Sequence, residues 1–464
     1  MSNQNLPAAA AEGAAAGAQV RWIILWLTCG GLFGQFFAFD IPSALNEEMR
    51  NDLTKTTGIT EAQYEYYFGL LYSVYSVPNV ILPLAMGVAV DRCGCRTLIC
   101  CLAACVVLGQ LLFAAGFVER SWALMLAGRV LFGLGGESLQ VAQNCLLFRW
   151  FKGMEVAFAL GLNLSVARAG SVMNDIVSPW CASRWGVAAT MWLGAALCIG
   201  SFVCNVFSAV LDKYAGERAG LEESRSDEDF SVREVFRLPR LYWLLAQLCV
   251  ILYCGILPFN NIASAFFVGT WYSGFSEAEA MQRAGYAMSL LFMVSAIGTP
   301  AFGGLIDRMG HRTHCLFLSA ALLTLTYTSI FVVRPELSMC GLGCVYMIFA
   351  GALWPAFALT VPQKQLGTAY GVAVALQNSG LAVVPLVVGH LQATSGPGNF
   401  HPVIAMFICF GLAGTVISVM LHVSNKALRG ALDLPSSLAE ACLASGEATP
   451  LHDSGFATPV IYGE

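Results

Sequence analysis

Twelve apolar stretches decide what this chain can fold into, at roughly 22–45, 62–89, 97–118, 121–148, 154–182, 187–211, 241–269, 284–306, 313–333, 338–361, 367–391 and 402–424. Each is long enough to cross the ~30 Å hydrocarbon layer of a bilayer as an α-helix. Barrel strands would be about ten residues long and alternate in polarity, whereas these runs are continuous. The expectation is an all-α membrane protein of twelve transmembrane helices. Composition agrees: 57% of the residues are hydrophobic and 11% charged, at a mean hydropathy of +0.67. A soluble domain carries about 25% charged residues. The small net charge of -5 gives no sign of a nucleic-acid partner. The 17 cysteines fall mostly inside apolar runs and read as small hydrophobic side chains, without metal-ligand spacing.

The distribution of Lys and Arg sets an expected orientation. With the N-terminus in the cytoplasm, the cytoplasmic segments carry sixteen basic residues and the opposite side six. The charged stretch 212–240, with Glu222, Glu223, Arg225, Asp227, Glu228 and Asp229, reads as a solvated linker. It divides the chain into a tail at 1–21, a six-helix bundle at 22–211, a second at 241–424 and a polar C-terminal tail at 425–464.

An internal repeat supports two related halves. Gly87-x3-Asp91-Arg92-x-Gly94-x-Arg96 recurs as Gly303-x3-Asp307-Arg308-x-Gly310-x-Arg312, each copy between the second and third helices of its half. Glycine allows a tight turn and close helix approach. The Asp and Arg residues are candidates for charged contacts that hold one face of the molecule shut, with simple positive-inside anchoring as the alternative.

Ionisable side chains inside the apolar runs are the candidate functional residues, since a charge at bilayer depth costs a few kcal/mol or more unless it meets protein, a partner charge or ligand. The fourth segment carries Arg129 and Glu137, the fifth Arg168 and Asp175. Counting at 1.5 Å per residue from the turn near 149–153, Glu137 lies about 18 Å deep and Arg168 about 24 Å. Both are near the midplane, offset by roughly the span of a dipeptide at about 3.5 Å per residue. Arg can grip a carboxylate with two parallel bonds, and Glu can accept from an ammonium. The alternative is a direct Glu137–Arg168 salt bridge that only packs the hairpin. Tyr72, Asn144, Trp354, Gln377 and Asn378 are candidates to line a cavity beside the pair, packing and interfacial anchoring being the other reading. Arg129 is a candidate for gating or proton coupling, or for structural hydrogen bonding. No nucleophile–base constellation, phosphate loop, metal site or cofactor motif stands out, so an enzyme or ATP-driven pump is not expected.

The duplicated signature, with Gly128-Arg129-x3-Gly133-x-Gly135, resembles the major facilitator superfamily over about 22–424. That resemblance implies two six-helix bundles around a central site, rocking in alternating access. Within it, the run from Gly128 to Asn144, Trp150-Phe151-Lys152-Gly153, Ser165-Val166-Ala167-Arg168 and Leu353-Trp354-Pro355 resemble a family of lysosomal dipeptide transporters of animals. This implies a dipeptide uniporter of a lysosomal or vacuolar membrane, with Glu137 reading the amine and Arg168 the carboxylate. It also implies a glycosylated single-span accessory membrane protein as partner. The sole Asn-x-Ser/Thr sequon, Asn163-Leu164-Ser165, lies inside the fifth segment, out of reach of glycosylation. The remaining alternatives are a proton- or sodium-coupled carrier of another small zwitterion or organic anion, and a transport-inactive receptor.

Overall fold

The computed structural model describes residues 8–151, 154–218, 238–361, 366–396, 398–427 and 430–435. The helices, numbered in chain order, are α1 (Ala8–Ala44), α2 (Asn46–Thr57), α3 (Glu61–Ser76), α4 (Pro78–Cys93), α5 (Cys95–Val118), α6 (Trp122–Trp150) and α7 (Met154–Trp185). They continue as α8 (Val187–Arg218), α9 (Arg240–Thr270), α10 (Glu277–Met309), α11 (Arg312–Ser329), α12 (Pro335–Ala358), α13 (Leu366–Ser395) and α14 (His401–Ala427), with a 3-10 turn at Ala431–Asp433. Among the described residues nine helical segments are long and apolar enough to cross a membrane. The expected fourth, fifth and ninth segments, α6, α7 and α11, fall below that measure of hydropathy. In α6 and α7 the reason is the polar residues they carry inward.

The expected second segment is two helices, α3 and α4, which meet at Val77. Pro78 has no N–H to continue the ladder, so the chain bends there. The short polar helix α2 lies outside the twelve expected segments. It buries Asn46, Met49 and Leu53, one face at helical spacing, while Glu47, Glu48, Arg50 and Asp52 are half-buried and Lys55 is exposed. Two expected boundaries shift. The linker at 212–240 begins inside α8, which runs to Arg218, and Asp212 is fully buried. The tail from 425 begins within α14, and residues 430–435 fold back onto α11.

In the first half, α1 packs on α7 and α8, α5 on α6 and α8, and α3 and α4 on α6. In the second, α10 packs on α12, α11 on α12 and α14, and α9 on α13 and α14. Outer helices show regular membrane-facing stripes: Ile199, Val203, Phe207 and Val210 on α8, and Leu412, Val416, Val419 and Val423 on α14. The halves meet where α3 and α4 pack on α13 and where α7 packs on α10. At the end of the molecule that carries α2, these contacts are backbone to backbone. A Cβ on Gly69 would lie 2.4 Å from the Pro385 carbonyl oxygen, and one on Gly285 would lie 2.1 Å from that of Asp175. Ser264 Oγ donates to the Ala44 carbonyl at 3.2 Å, and Asn51 Nδ2 donates to Glu277 at 2.9 Å, both across the halves. This end is shut.

Candidate functional site

Glu137 and Arg168 each reach across to the other half, and neither pairs with the other. Glu137 sits midway along α6, where its Oε2 accepts from Asn378 Nδ2 on α13 at 3.2 Å. Asn378 also donates to the Val374 carbonyl at 3.0 Å, and its own Oδ1 is buried without a partner. Arg168, on α7 and buried, donates from Nη1 to Thr299 Oγ1 at 3.1 Å and to the Ser295 carbonyl at 3.3 Å, both on α10. Its guanidinium lies 4.5 Å from the ring centre of Tyr346. The direct salt bridge held open by the sequence is absent among the described residues.

Beside Arg168 the second half supplies an aromatic wall. Tyr346 meets Tyr253 edge-on at 5.9 Å, and Tyr253 accepts from Trp354 Nε1 at 3.1 Å. Tyr370 donates its hydroxyl to the Trp354 carbonyl at 2.8 Å. Trp354 is half-buried against this wall. Gln377 is buried next to Cys249 Sγ, at 3.8 Å. Asn144 is half-buried on α6. Tyr72 is turned elsewhere, packed between Phe39 and Phe68 with its hydroxyl unpartnered. Tyr253 and Tyr346 escaped sequence reasoning because a tyrosine in an apolar helix looks the same whether it packs or lines a site.

The other intramembrane charges form a second cluster within the first half. Arg129 is buried against Phe113, at 4.6 Å, and donates from Nη2 to the Phe39 carbonyl at 3.2 Å, so it ties α6 to α1. Asp40 and Asp175 are buried nearby, and Asp175 Oδ2 has no hydrogen-bond partner. A polar chain missed by the sequence links α6, α7 and α8: Gln143 donates to Asn205 at 2.6 Å and accepts from Asn163 at 3.3 Å. Asn163, the sequon residue, is buried in it.

The two signature copies share turn geometry and differ in their partners. Gly94 and Gly310 close their turns at φ of 76° and 73°, a region open to glycine and strained for other residues. Arg96 and Arg149 both pair with Asp212, at 2.6 and 3.0 Å, and Trp150 Nε1 donates to the same carboxylate at 2.6 Å. In the second copy Arg312 donates to the Leu434 carbonyl at 2.8 Å and pairs with Asp307 at 3.2 Å. Arg308 is exposed. A Cβ on Gly303 would meet nothing within 4 Å, whereas one on Gly351 of α12 would lie 3.4 Å from the Gly303 backbone nitrogen. The side chains of Asp91 and Arg92, and the surroundings of Gly87, lie outside the described residues.

Two halves of membrane helices meeting around midplane charges define a secondary-transporter architecture, and the chain belongs to the major facilitator superfamily. The family model described as Major Facilitator Superfamily matches residues 22–278 and 259–440. The chain is 34% identical over 431 residues to the lysosomal dipeptide transporter MFSD1 of Bos taurus, covering 89% of this chain and 87% of that protein. It is 33% identical over 429 residues to the lysosomal dipeptide transporter MFSD1 of Homo sapiens, covering 89% and 88%. Among solved structures, a D-xylose-proton symporter superimposes with a TM-score of 0.66 at 16% identity, covering 86% of this chain and 96% of that one, which bears on the fold alone.

Proposed function

We propose that this chain carries dipeptides across a lysosomal or vacuolar membrane by alternating access, as a uniporter. Glu137 takes the ammonium end and Arg168 the carboxylate. The observation that carries this reading is that each charge is held across the interface between halves, by Asn378 and by Ser295 with Thr299, leaving the two charges apart. A zwitterion of dipeptide length can replace both sets of contacts. The similarity to lysosomal dipeptide transporters supports the substrate and the compartment. The bias of basic residues supports cytoplasmic termini, which makes the shut end luminal. There a glycosylated accessory protein would find loops that carry no sequon of their own.

The test is uptake of labelled dipeptides into proteoliposomes. Hydrogen bonds to charged groups contribute about 1.5–3 kcal/mol, so Glu137→Gln and Arg168→Ala should each lower kcat/KM about ten- to hundredfold. Parent-like uptake by both would refute the clamp. A second reading, proton coupling, draws on Asp175, whose buried Oδ2 has no partner. Uptake that requires a proton gradient and is lost in Asp175→Asn would favour it over uniport.

A further inference from the structure

We propose that His314, His422 and Asp433 form a binding site for a borderline divalent transition-metal cation, zinc being the ion their chemistry fits. Their ligand atoms all lie within 4.8 Å of one another. They come from three places in the chain: the first turn of α11, the end of α14 and the 3-10 turn beyond it. His314 Nδ1 is 3.9 Å from Asp433 Oδ1, His422 Nδ1 is 3.7 Å from Asp433 Oδ2, and the two imidazole rings are 4.5 Å apart.

Two imidazoles and a carboxylate suit zinc, whose bonds to nitrogen and oxygen run about 2.0–2.2 Å in tetrahedral sites. Ligands around such an ion sit about 3.3 Å from one another, so the His–Asp edges at 3.9 and 3.7 Å and the remaining edge, within 4.8 Å, must all contract for one ion to meet the three residues. His314 is 59% exposed, so its ring can make that movement and an ion can enter from solvent. Water, or the imidazole of His311 with its ring 5.6 Å from that of His314, can complete the coordination.

The carboxylate is held in place as a metal ligand's is. Asp433 accepts from the Thr313 backbone N–H at 3.0 Å and from Asn425 Nδ2 at 2.9 Å; Thr313 Oγ1, which lies 2.8 Å from His422 Nδ1 and 2.7 Å from Asp433 Oδ2, must turn aside where an ion takes that nitrogen. The site would staple residues 430–435 to the turn that ends the second signature copy. That segment already receives Arg312 at the Leu434 carbonyl and the His311 N–H at the Asp433 carbonyl. Metal occupancy thereby bears on the turn between α10 and α11.

The experiment uses full-length protein purified through a tag without histidine, equilibrated with zinc, dialysed against metal-free buffer and analysed for bound metal. The parent should retain one zinc per chain and gain thermal stability from it. His314→Gln and His422→Ala should each lose that zinc, and Asn425→Ala should weaken it roughly tenfold or more. His390→Ala and His401→Ala, at the opposite end, should retain it. His314 is exposed enough that its substitution leaves packing intact, so lost zinc with unchanged metal-free stability reads as lost ligation. Zinc bound by cysteine thiols would survive in the His314→Gln/His422→Ala double variant. No zinc on the parent, or equal zinc on that double variant, overturns the site.

Discussion

Gly285→Ala tests how the α2 end of the molecule closes. A Cβ at 285 would lie 2.1 Å from the Asp175 carbonyl oxygen and 3.0 Å from Pro179 Cγ. Carbon–oxygen contacts settle at about 3.3 Å, and a helix carbonyl cannot rotate aside, so α7 and α10 must separate by about 1 Å at this level. Overpacking of this kind costs about 1–3 kcal/mol. Because the contact lies between halves, the cost falls on the shut state of this end and not on the folding of either half. The shut state should lose about five- to 150-fold in population relative to the alternative. Dipeptide uptake into proteoliposomes should fall by a similar factor where that state limits the cycle, and hydrogen exchange should rise at 174–186 and 277–290. Gly200→Ala is the matched control, since a Cβ there meets nothing within 4 Å. Parent-like uptake together with parent-like exchange in Gly285→Ala would refute the reasoning.

Asp212→Asn removes the charge that Arg96 and Arg149 share at 2.6 and 3.0 Å. Breaking a buried pair costs about 3–5 kcal/mol. Since Arg96 keeps 22% exposure, the lower end of that range should appear as a reduced denaturation midpoint in detergent; Asp307→Asn, at a carboxylate 51% exposed, should move it little. On α2, burial and then the Glu277 charge push the Glu48 carboxyl up to about 8, and burial, against Arg50, also raises Glu47. Between its ordinary value near 4.5 and about 8, the folded form holds a proton at Glu48 that the unfolded chain has released, so stability falls as pH rises through that window. Thermal unfolding at acidic and mildly alkaline pH should show that slope, and Glu48→Gln should flatten it; an unchanged slope would exclude Glu48 as its source. Tyr346→Leu removes the ring 4.5 Å from the Arg168 guanidinium, and Tyr346→Phe keeps it. A cation–π contact is worth about 0.5–2 kcal/mol, so the KM for dipeptides should rise a few-fold or more in the first variant and stay near the parent in the second.

The transmembrane plan was legible because length and apolarity alone set it, and even the polar α6 and α7 stood out as segments. The facing of residues was not. Depth along α6 and α7 follows from rise per residue, which brought Glu137 and Arg168 to one level. Rotation about each helix axis does not follow, so the sequence leaves a ligand clamp and a direct pair both open and gives no sign of the bridges to α13 and α10. In the sequence Asp212 reads as linker, because its charge runs on into Glu222 and Glu223. What buries it is Arg96, Arg149 and Trp150, all distant in sequence. The helix α2 did leave a signal in Asn46, Met49 and Leu53, at spacings of three and four, though too short to stand out between two long apolar runs.

In the proposed clamp, a substrate must compete with the contacts that join the halves. An ammonium at Glu137 displaces the Asn378 amide, and a carboxylate at Arg168 displaces Thr299 Oγ1 and the Ser295 carbonyl. Each displacement exchanges a neutral partner for one of opposite charge, which adds a Coulomb attraction between two ions at a buried site. A ligand that reaches only one end gains one exchange and leaves the other bridge in place, so the halves stay tied. A zwitterion of dipeptide length gains both and frees both bridges together, which couples occupancy to movement of the halves. Charge balance adds to this. Glu137 and Arg168 sum to zero, and so does a zwitterion, so the empty and loaded sites present the same net charge to the membrane. Neither form then needs a co-transported ion to cross its midplane, and uniport is the cycle such a site can run in both directions.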